Sequence, residues 1–158
     1  MAAGIARWLS TCFGLGYFPF APGTLVSLVA SGCYLFVPVF QDIRFMIPAV
    51  VIATVVGLWS GGVMEEQHGE DPSIVTIDEL AGQWVALAAL PASPLAVFLA
   101  FCCFRAFDIL KPGPVDRVQR LPGGLGIMAD DLLAGLLANL SVRAVLGIAF
   151  FLQIELPV

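Results

Sequence analysis

The chain has 158 residues, of which 59% are hydrophobic and only 12% are charged, with a formal net charge of −5. A soluble domain contains roughly 45–50% apolar residues, so this composition argues against a water-soluble protein and predicts one integral membrane domain over residues 1–158. There is no basic run of the kind that binds nucleic acid. The four cysteines form neither a CxxC pair nor a Cys/His cluster, so zinc and disulfide frameworks are not expected.

The N-terminal half is predicted to contain one short helix, a shaped loop and two spans. Residues 1–20 can form an amphipathic helix that leads into GLGYFPFAPGT, whose glycines and prolines break helices. Thr24 ends this motif and is a suitable N-cap for the next helix. Leu25–Phe40 is apolar and, with flanking residues, approaches the about 20 residues that a span needs. Phe45–Met64 is the clearest span, with Pro48 in its first turn.

The C-terminal half alternates apolar and charged segments. An acidic loop, residues 65–73, precedes the candidate span Ile74–Ala92, and Leu95–Ile109 leads back after a proline-rich turn. The last apolar element is Leu132–Ile154, interrupted by Arg143, which makes it either one tilted span or a bent pair. Since irregular backbone and open strands cannot face lipid, the fold class is predicted to be all-α: a bundle of four to six membrane helices.

The basic residues predict the orientation of this bundle. If the spans alternate from Leu25 onward, Arg7, the acidic loop and the basic segment 105–131 fall on one side. That side is predicted to be cytoplasmic, and the protein to be a multi-pass membrane protein. The candidate functional groups converge on the same side, which predicts a site at the cytoplasmic membrane edge.

Two carboxylates, Asp78 and Glu79, lie at the start of the span Ile74–Ala92. Carboxylates in an apolar helix are costly unless they are paired, metal-bound or hydrated, and they indicate function by default. The alternative is a pair at the water interface that the helix dipole stabilises. Gly82, four residues after Asp78, is expected to let a neighbouring helix approach this face.

The segment Arg105–Asp108–Lys111 has the spacing of neighbours on one helix face. It is either a structural ladder of ion pairs at the membrane edge, or a site in which Asp108 binds a metal while the two cations bind a phosphate. Lys111, followed by proline, is expected to end the helix.

A glycine-rich stretch, with Gly123 and Gly124, precedes the pair Asp130–Asp131. Backbone N–H groups of such a loop can approach an anion, whereas aspartates that open a helix can also be simple caps. Five carboxylates on one membrane face would repel one another, and a bound divalent cation would relieve this repulsion. Hard oxygen ligands favour magnesium over zinc. The predicted metal ligands are Asp78, Glu79, Asp108, Asp130 and Asp131.

Several motifs together resemble the phosphatidylglycerophosphatase A family of bacterial membrane lipid phosphatases. They are GLGYFPFAPGT with Ser27, SIVTIDELAGQW, and FRAFDILKPGPVDR continuing into GGLGIMADDLLAG. Val26 departs from the glycine expected before Ser27. The resemblance implies magnesium-dependent hydrolysis of phosphatidylglycerophosphate to phosphatidylglycerol and inorganic phosphate. It also implies that the family's acidic positions correspond to the five carboxylates named above.

These observations lead to a hypothesis for the roles of individual residues. Catalytic roles are assigned to Glu79, Asp131, Arg105 and Lys111. Substrate binding is assigned to Thr24, Ser27, Arg105, Lys111, Arg117, Gly123 and Gly124. The expected cofactor is Mg²⁺, and the expected partners are the lipid substrate and membrane lipids. No nucleic acid is expected, and the sequence gives no argument for or against an oligomer.

A cation- or proton-coupled transporter that uses the same carboxylates is the alternative. Its charged residues are expected near the bilayer midplane, on broken helices in two related halves. Here the charged residues lie at predicted helix ends on one face, and no repeat is evident. A purely structural membrane subunit is a third possibility, against which the clustering of charge argues.

Overall fold

The computed structural model describes residues 2–69 and 72–157, and this part of the chain contains helices and no strands. The α-helices, in chain order, are α1 (Ala2–Ser10), α2 (Pro22–Phe36), α3 (Ile43–His68), α4 (Ile77–Leu87), α5 (Pro94–Leu110), α6 (Gly113–Gln119) and α7 (Gly124–Phe151). Short 3₁₀ turns lie at Leu15–Tyr17 and Pro38–Gln41. The predicted all-helical class is confirmed.

Two helices, α3 and α7, are long and apolar enough to cross a membrane. They contain 26 and 28 residues, or about 39 and 42 Å at 1.5 Å per residue. The predicted spans Leu25–Phe40 and Ile74–Ala92 correspond to shorter helices, α2 with 15 residues and α4 with 11. The two long helices are compatible with association with a membrane, and the count of four to six membrane helices stays a prediction.

Close backbone contact joins α4 to α7. A Cβ atom at Gly82 would lie 2.6 Å from the carbonyl oxygen of Asp131, and one at Gly135 would lie 2.2 Å from the carbonyl oxygen of Gly82. Neither distance is possible for a real side chain, so only glycine permits this approach. The prediction that Gly82 admits a neighbouring helix is confirmed, and the contact brings the acidic start of α4 beside Asp131.

Helices α2 and α4 run parallel in a fixed register. Near their N-termini, the backbone of Gly23 contacts the carboxylate of Glu79. Near the other end, the Tyr34 hydroxyl donates to the carbonyl oxygen of Leu90 at 2.5 Å. Leu90 lies three residues beyond the end of α4, so the two contacts hold α2 beside α4 from its first turn to the loop that follows it.

Polar side chains of α7 hold the C-terminal end of α4. Asn139 Nδ2 donates to the carbonyl oxygens of Ala86 and Ala88, at 3.0 and 2.9 Å. Arg143 Nη2 donates to the carbonyl oxygens of Ala88 and Ala89. The carbonyl groups at the C-terminal end of a helix have no N–H group within the helix to bond to, and here Asn139 and Arg143 supply the missing donors. Arg143 therefore interrupts the apolar pattern without breaking α7, which is one continuous helix and not a bent pair.

Several predicted boundaries in the first half are wrong. α2 begins at Pro22, with Ala21 as its N-cap, so Thr24 lies inside the helix. Proline is favoured at this first helical position because it has no N–H to leave unpaired. α3 begins at Ile43, which places Pro48 in its second turn, and continues to His68 through the first part of the predicted acidic loop. Residues 70 and 71 of that loop lie outside the described residues.

The charged segment 105–131 is more ordered than predicted. It contains α6, which the sequence analysis missed, and α7 begins within it at Gly124. Asp130 and Asp131 therefore lie about two turns inside α7 and do not cap it. A Cβ atom at Gly124 would lie 2.2 Å from the carbonyl oxygen of Leu58 on α3. Glycine at position 124 therefore allows α3 and α7 to pack closely against each other.

Candidate active site

A cavity of about 260 Å³ lies where four helices meet. α2 and α4 contribute their N-terminal turns, α5 contributes its C-terminal turn, and α7 contributes its acidic pair. The lining residues are Ala21, Pro22, Gly23, Ser73, Val75, Asp78, Glu79, Arg105, Asp108, Lys111, Asp130 and Asp131. The structure thus brings together all five predicted metal ligands and both cations predicted to bind phosphate.

Three of the carboxylates form a compact group. Asp78, Glu79 and Asp131 each offer one oxygen atom, and these atoms all lie within 4.8 Å of one another. Asp78 Oδ1, Glu79 Oε2 and Asp131 Oδ2 are also buried without a hydrogen-bond partner among the described residues. Leaving buried acceptors unsatisfied is costly, and a hard divalent cation is the kind of ligand that three such oxygens suit. The residues present therefore fit Mg²⁺.

Two cations face this acidic group. Arg105 Nη1 lies 2.6 Å from Asp108 Oδ2 and 3.9 Å from Glu79 Oε1, which confirms the predicted Arg105–Asp108 neighbours on α5. Lys111 ends α5 in the left-handed conformation, with φ of 43°. Its Nζ atom lies 2.8 Å from Asp130 Oδ2 on α7. The arginine and the lysine therefore contact carboxylates on different helices and flank the cavity from two sides.

The cavity carries an excess of acidic groups, five carboxyls against two cations. Burial, followed by the neighbouring charge of Glu79, raises the pKa of the Asp78 carboxyl well above its usual range. Burial also raises the pKa of Glu79 to about 7, although Asp78 and Arg105 oppose the shift. Without a cation, these groups hold protons at pH values where isolated carboxyls have lost them.

The raised pKa values of Asp78 and Glu79 predict how the stability of the metal-free protein depends on pH. The folded-state pKa of Glu79 is raised to about 7, so its contribution to stability is complete at low pH and is lost as the pH rises through about 7. The raised pKa of Asp78 acts in the same direction. The melting temperature in detergent with a chelator should therefore fall between pH 5.5 and pH 8. Added Mg²⁺ should raise it more at pH 8, where the ligands are ionised. A melting temperature that rises with pH without metal would contradict this.

Ala21, Pro22 and Gly23, at the N-terminus of α2, line the cavity, and the sequence analysis did not assign them to the site although it assigned the neighbouring Thr24. A Cβ atom at Gly23 would lie 1.9 Å from Glu79 Oε1, so a larger residue here would displace the Glu79 carboxylate from its position in the cavity. Ala21 precedes it in the left-handed conformation, with φ of 47°. Such strain in a residue other than glycine is often found at functional sites. The Pro22–Gly23 pair just before an apolar segment was the available signal.

The remaining residues assigned to substrate binding do not line this cavity. Ser27 is fully buried and donates to the carbonyl oxygen of Gly23 at 2.8 Å. Thr24 is half-buried within α2, and Arg117 is exposed on α6. The last two, Gly123 and Gly124, lie at the start of α7. Their roles in binding substrate stay predictions.

Comparison with known proteins places this geometry in a family. The family described as Phosphatidylglycerophosphatase A matches residues 8–146. The chain belongs to this family. Phosphatidylglycerophosphatase A from Escherichia coli K12 is 30% identical over 94% of this chain and 84% of its own length. The protein of the same description from Haemophilus influenzae Rd is 31% identical over 87% of this chain and 86% of its own.

A further relative carries a different description. A protein of Bacteroides thetaiotaomicron, described as a candidate phosphatidylinositol-3-phosphatase, is 40% identical over 80% of this chain and 84% of its own length. No solved structure matches the chain. Membership of the phosphatidylglycerophosphatase A family makes this protein a lipid phosphatase, as the motifs predicted, and argues against the transporter alternative.

Proposed function

We propose that the protein hydrolyses phosphatidylglycerophosphate to phosphatidylglycerol and inorganic phosphate, with Mg²⁺ as cofactor. The observation that carries this proposal is the group of three buried, unpartnered carboxylate oxygens within 4.8 Å of one another. Arg105 and Lys111 lie beside this group, as a site for a phosphate and a metal requires. Family membership supplies the substrate class.

The metal site would be built on α4 and α7. Asp78, Glu79 and Asp131 are the candidates for direct ligands, and Asp108 and Asp130 complete the acidic shell through their ion pairs with the two cations. When bound, Mg²⁺ lowers the pKa of a nearby water and offsets negative charge on the phosphoryl oxygens.

The chain's own groups then perform binding and proton transfer. Arg105 and Lys111 hold the phosphoryl oxygens and stabilise the charge that develops on them. The water oxygen bonds to phosphorus as the bond between phosphorus and the glycerol oxygen breaks. Glu79 takes the proton that the water loses. The departing glycerol oxygen takes a proton from solvent water, and Glu79 returns its own proton to solvent, so that no net proton is gained or lost by the protein.

This mechanism uses one displacement and no covalent intermediate. With a chiral thiophosphate substrate and isotopic oxygen, we expect the configuration at phosphorus to be inverted. Two displacements through an aspartyl-phosphate would retain the configuration. Retention would therefore overturn direct water attack, while leaving the lipid phosphatase assignment intact.

The relative described as a candidate phosphatidylinositol-3-phosphatase supports a second candidate substrate, an inositol lipid 3-phosphate. Both lipids carry a phosphate monoester, so the cavity's phosphate-binding groups suit either. Purified protein should be assayed for phosphate release from both lipids at equal surface concentration. We expect a higher kcat/KM for phosphatidylglycerophosphate, and the reverse order would reassign the substrate.

We also propose a multi-pass arrangement in the bacterial inner membrane, with the cavity at the cytoplasmic edge and four to six membrane-embedded helices. The two long apolar helices support membrane insertion, and the distribution of lysine and arginine supports the orientation. Arg117 and Arg120 on the same side would meet anionic headgroups, at about 1 kcal/mol each. Labelling of a single cysteine introduced at Arg117 from each side of sealed vesicles tests the orientation.

A further inference from the structure

Ser73 lines the candidate active site and has no part in the mechanism described above. Apart from the five carboxyls and the two cations, the described residues that line the cavity are Ala21, Pro22, Gly23, Ser73 and Val75. Among these five, the hydroxyl of Ser73 is the only side-chain group that can form a hydrogen bond. The described part of the chain therefore gives the cavity a single uncharged hydrogen-bonding side chain.

The cavity has a charged inner end and an uncharged mouth. Asp78, Asp130 and Asp131 are buried, whereas Ala21 and Ser73 are exposed. The volume of about 260 Å³ is below the roughly 300–1,000 Å³ of pockets that enclose a whole drug-sized ligand. The cavity therefore suits the end of a lipid headgroup, with the rest of the lipid outside.

The charges determine which way the substrate lies in the cavity. The terminal phosphate belongs at the inner end, beside the three-carboxylate group and the cations Arg105 and Lys111. The alcohol to which this phosphate is esterified then lies toward the mouth, where Ser73 is exposed. In phosphatidylglycerophosphate, this alcohol is a glycerol that carries one free hydroxyl group.

Ser73 belongs to a turn that other segments hold in place. Three residues later, the N–H of Thr76 donates to the carbonyl oxygen of Ser10 at 2.8 Å. The carbonyl group of Ile74 packs closely against Gly16, where a Cβ atom would lie 2.0 Å from the Ile74 oxygen. Binding of the substrate therefore does not have to order this segment, and little of the energy of a hydrogen bond from Ser73 is lost to ordering.

We propose that Ser73 determines selectivity for the alcohol part of the lipid, through a hydrogen bond between its hydroxyl and the free hydroxyl of the departing glycerol. A hydroxyl can donate or accept, so either group can be the donor. A site that binds a substrate hydroxyl in this way selects against an analogue that lacks it. The inference rests on the proposed function, because it names the part of the proposed substrate that contacts Ser73.

A comparison of two lipids with two proteins tests this contact. The lipids are phosphatidylglycerophosphate and an analogue whose departing glycerol carries hydrogen in place of its free hydroxyl. The unaltered protein should hydrolyse the analogue with a kcat/KM about fivefold lower, which corresponds to one neutral hydrogen bond of about 1 kcal/mol. Ser73→Ala should lose about the same factor on phosphatidylglycerophosphate and nothing further on the analogue. Ser73→Thr keeps the hydroxyl and should keep the preference.

Ser141→Ala is the matched control, because Ser141 lies on α7 outside the cavity and donates to the carbonyl oxygen of Leu137. It should keep both rates and the preference. If Ser73→Ala keeps the preference of the unaltered protein, whether or not its rates fall, Ser73 does not contact the alcohol and the proposal is wrong. It is equally wrong if the unaltered protein shows no preference. Failure of the proposed function looks different, since the unaltered protein would then release phosphate from neither lipid, and the role of Ser73 would fall with it.

Discussion

Replacement of Asp131 by asparagine is expected to reduce kcat by about 10³-fold, or roughly 4 kcal/mol of transition-state stabilisation. The Asp131 carboxylate lies within 4.8 Å of the oxygens of Asp78 and Glu79, and one of its oxygens is buried without a partner. Asparagine keeps the shape but removes the negative charge that would hold a cation. Phosphate release from the lipid over a range of Mg²⁺ concentrations measures the effect.

The loss should arise from chemistry and not from unfolding. The variant removes one charge from a crowded acidic group, so its metal-free melting temperature should equal or exceed that of the unaltered protein. Asp116→Asn is the matched control, because Asp116 is a partly exposed aspartate on α6 that pairs with Arg120. It should keep near-normal turnover. Near-normal turnover in both Asp78→Asn and Asp131→Asn would disprove the metal site.

The second large effect is expected at Arg105. Its side chain is only 15% exposed, and it contacts Asp108 and approaches Glu79. Removing a group that stabilises developing charge in a site shielded from water typically costs 10²- to 10³-fold in kcat. Arg105→Ala should therefore lower kcat by about that factor, and Arg105→Lys should recover part of it, because lysine keeps the charge but loses the bidentate geometry.

Arg120→Ala provides the comparison for Arg105. Arg120 is 74% exposed and pairs with Asp116, and an exposed ion pair contributes only about 0–1 kcal/mol. Its replacement should change kcat/KM less than tenfold. Steady-state kinetics on both variants, under the same detergent conditions, decide the question. Small and equal effects would mean that the phosphate binds elsewhere.

The chemistry of the cavity could be predicted from sequence because ionisable residues are rare in this chain. A carboxylate pair at the start of an apolar helix needs a partner wherever the helix lies, so Asp78 and Glu79 stand out without a structure. Arg105 and Asp108 follow from helical spacing alone, and the observed 2.6 Å contact confirms it. Helical spacing and the cost of placing charge in an apolar helix are therefore sufficient to predict that such residues belong to a site.

The missed features depend on contacts between distant segments. Gly124 reads as part of a loop, but it is the first residue of α7, and its lack of a side chain lets the backbone of α3 approach. Gly23 carries no chemistry of its own, and its place in the site appears only when α2 is packed against Glu79. The length of α4 was overestimated, and the end of α2 was placed at Phe40 instead of Phe36. The reason is related, since apolar composition does not show where a helix meets its neighbour and ends.

The shortness of α4 has a consequence for the surrounding lipid, if the chain is inserted as proposed. Its 11 residues extend about 16 Å, whereas the hydrocarbon core is about 30 Å thick. Asn139 and Arg143 hold one end of this helix, and the carboxylates of Asp78 and Glu79 lie at the other. The two polar layers are therefore separated by only about half the thickness of the hydrocarbon core. Such hydrophobic mismatch is accommodated by local thinning of the membrane or by polar groups that reach toward the surface. To reach Asp78, the phosphate of a lipid substrate would then have to lie deeper in the membrane than the phosphates of the surrounding lipids. Alternatively, the bilayer would have to be locally thinner beside α4.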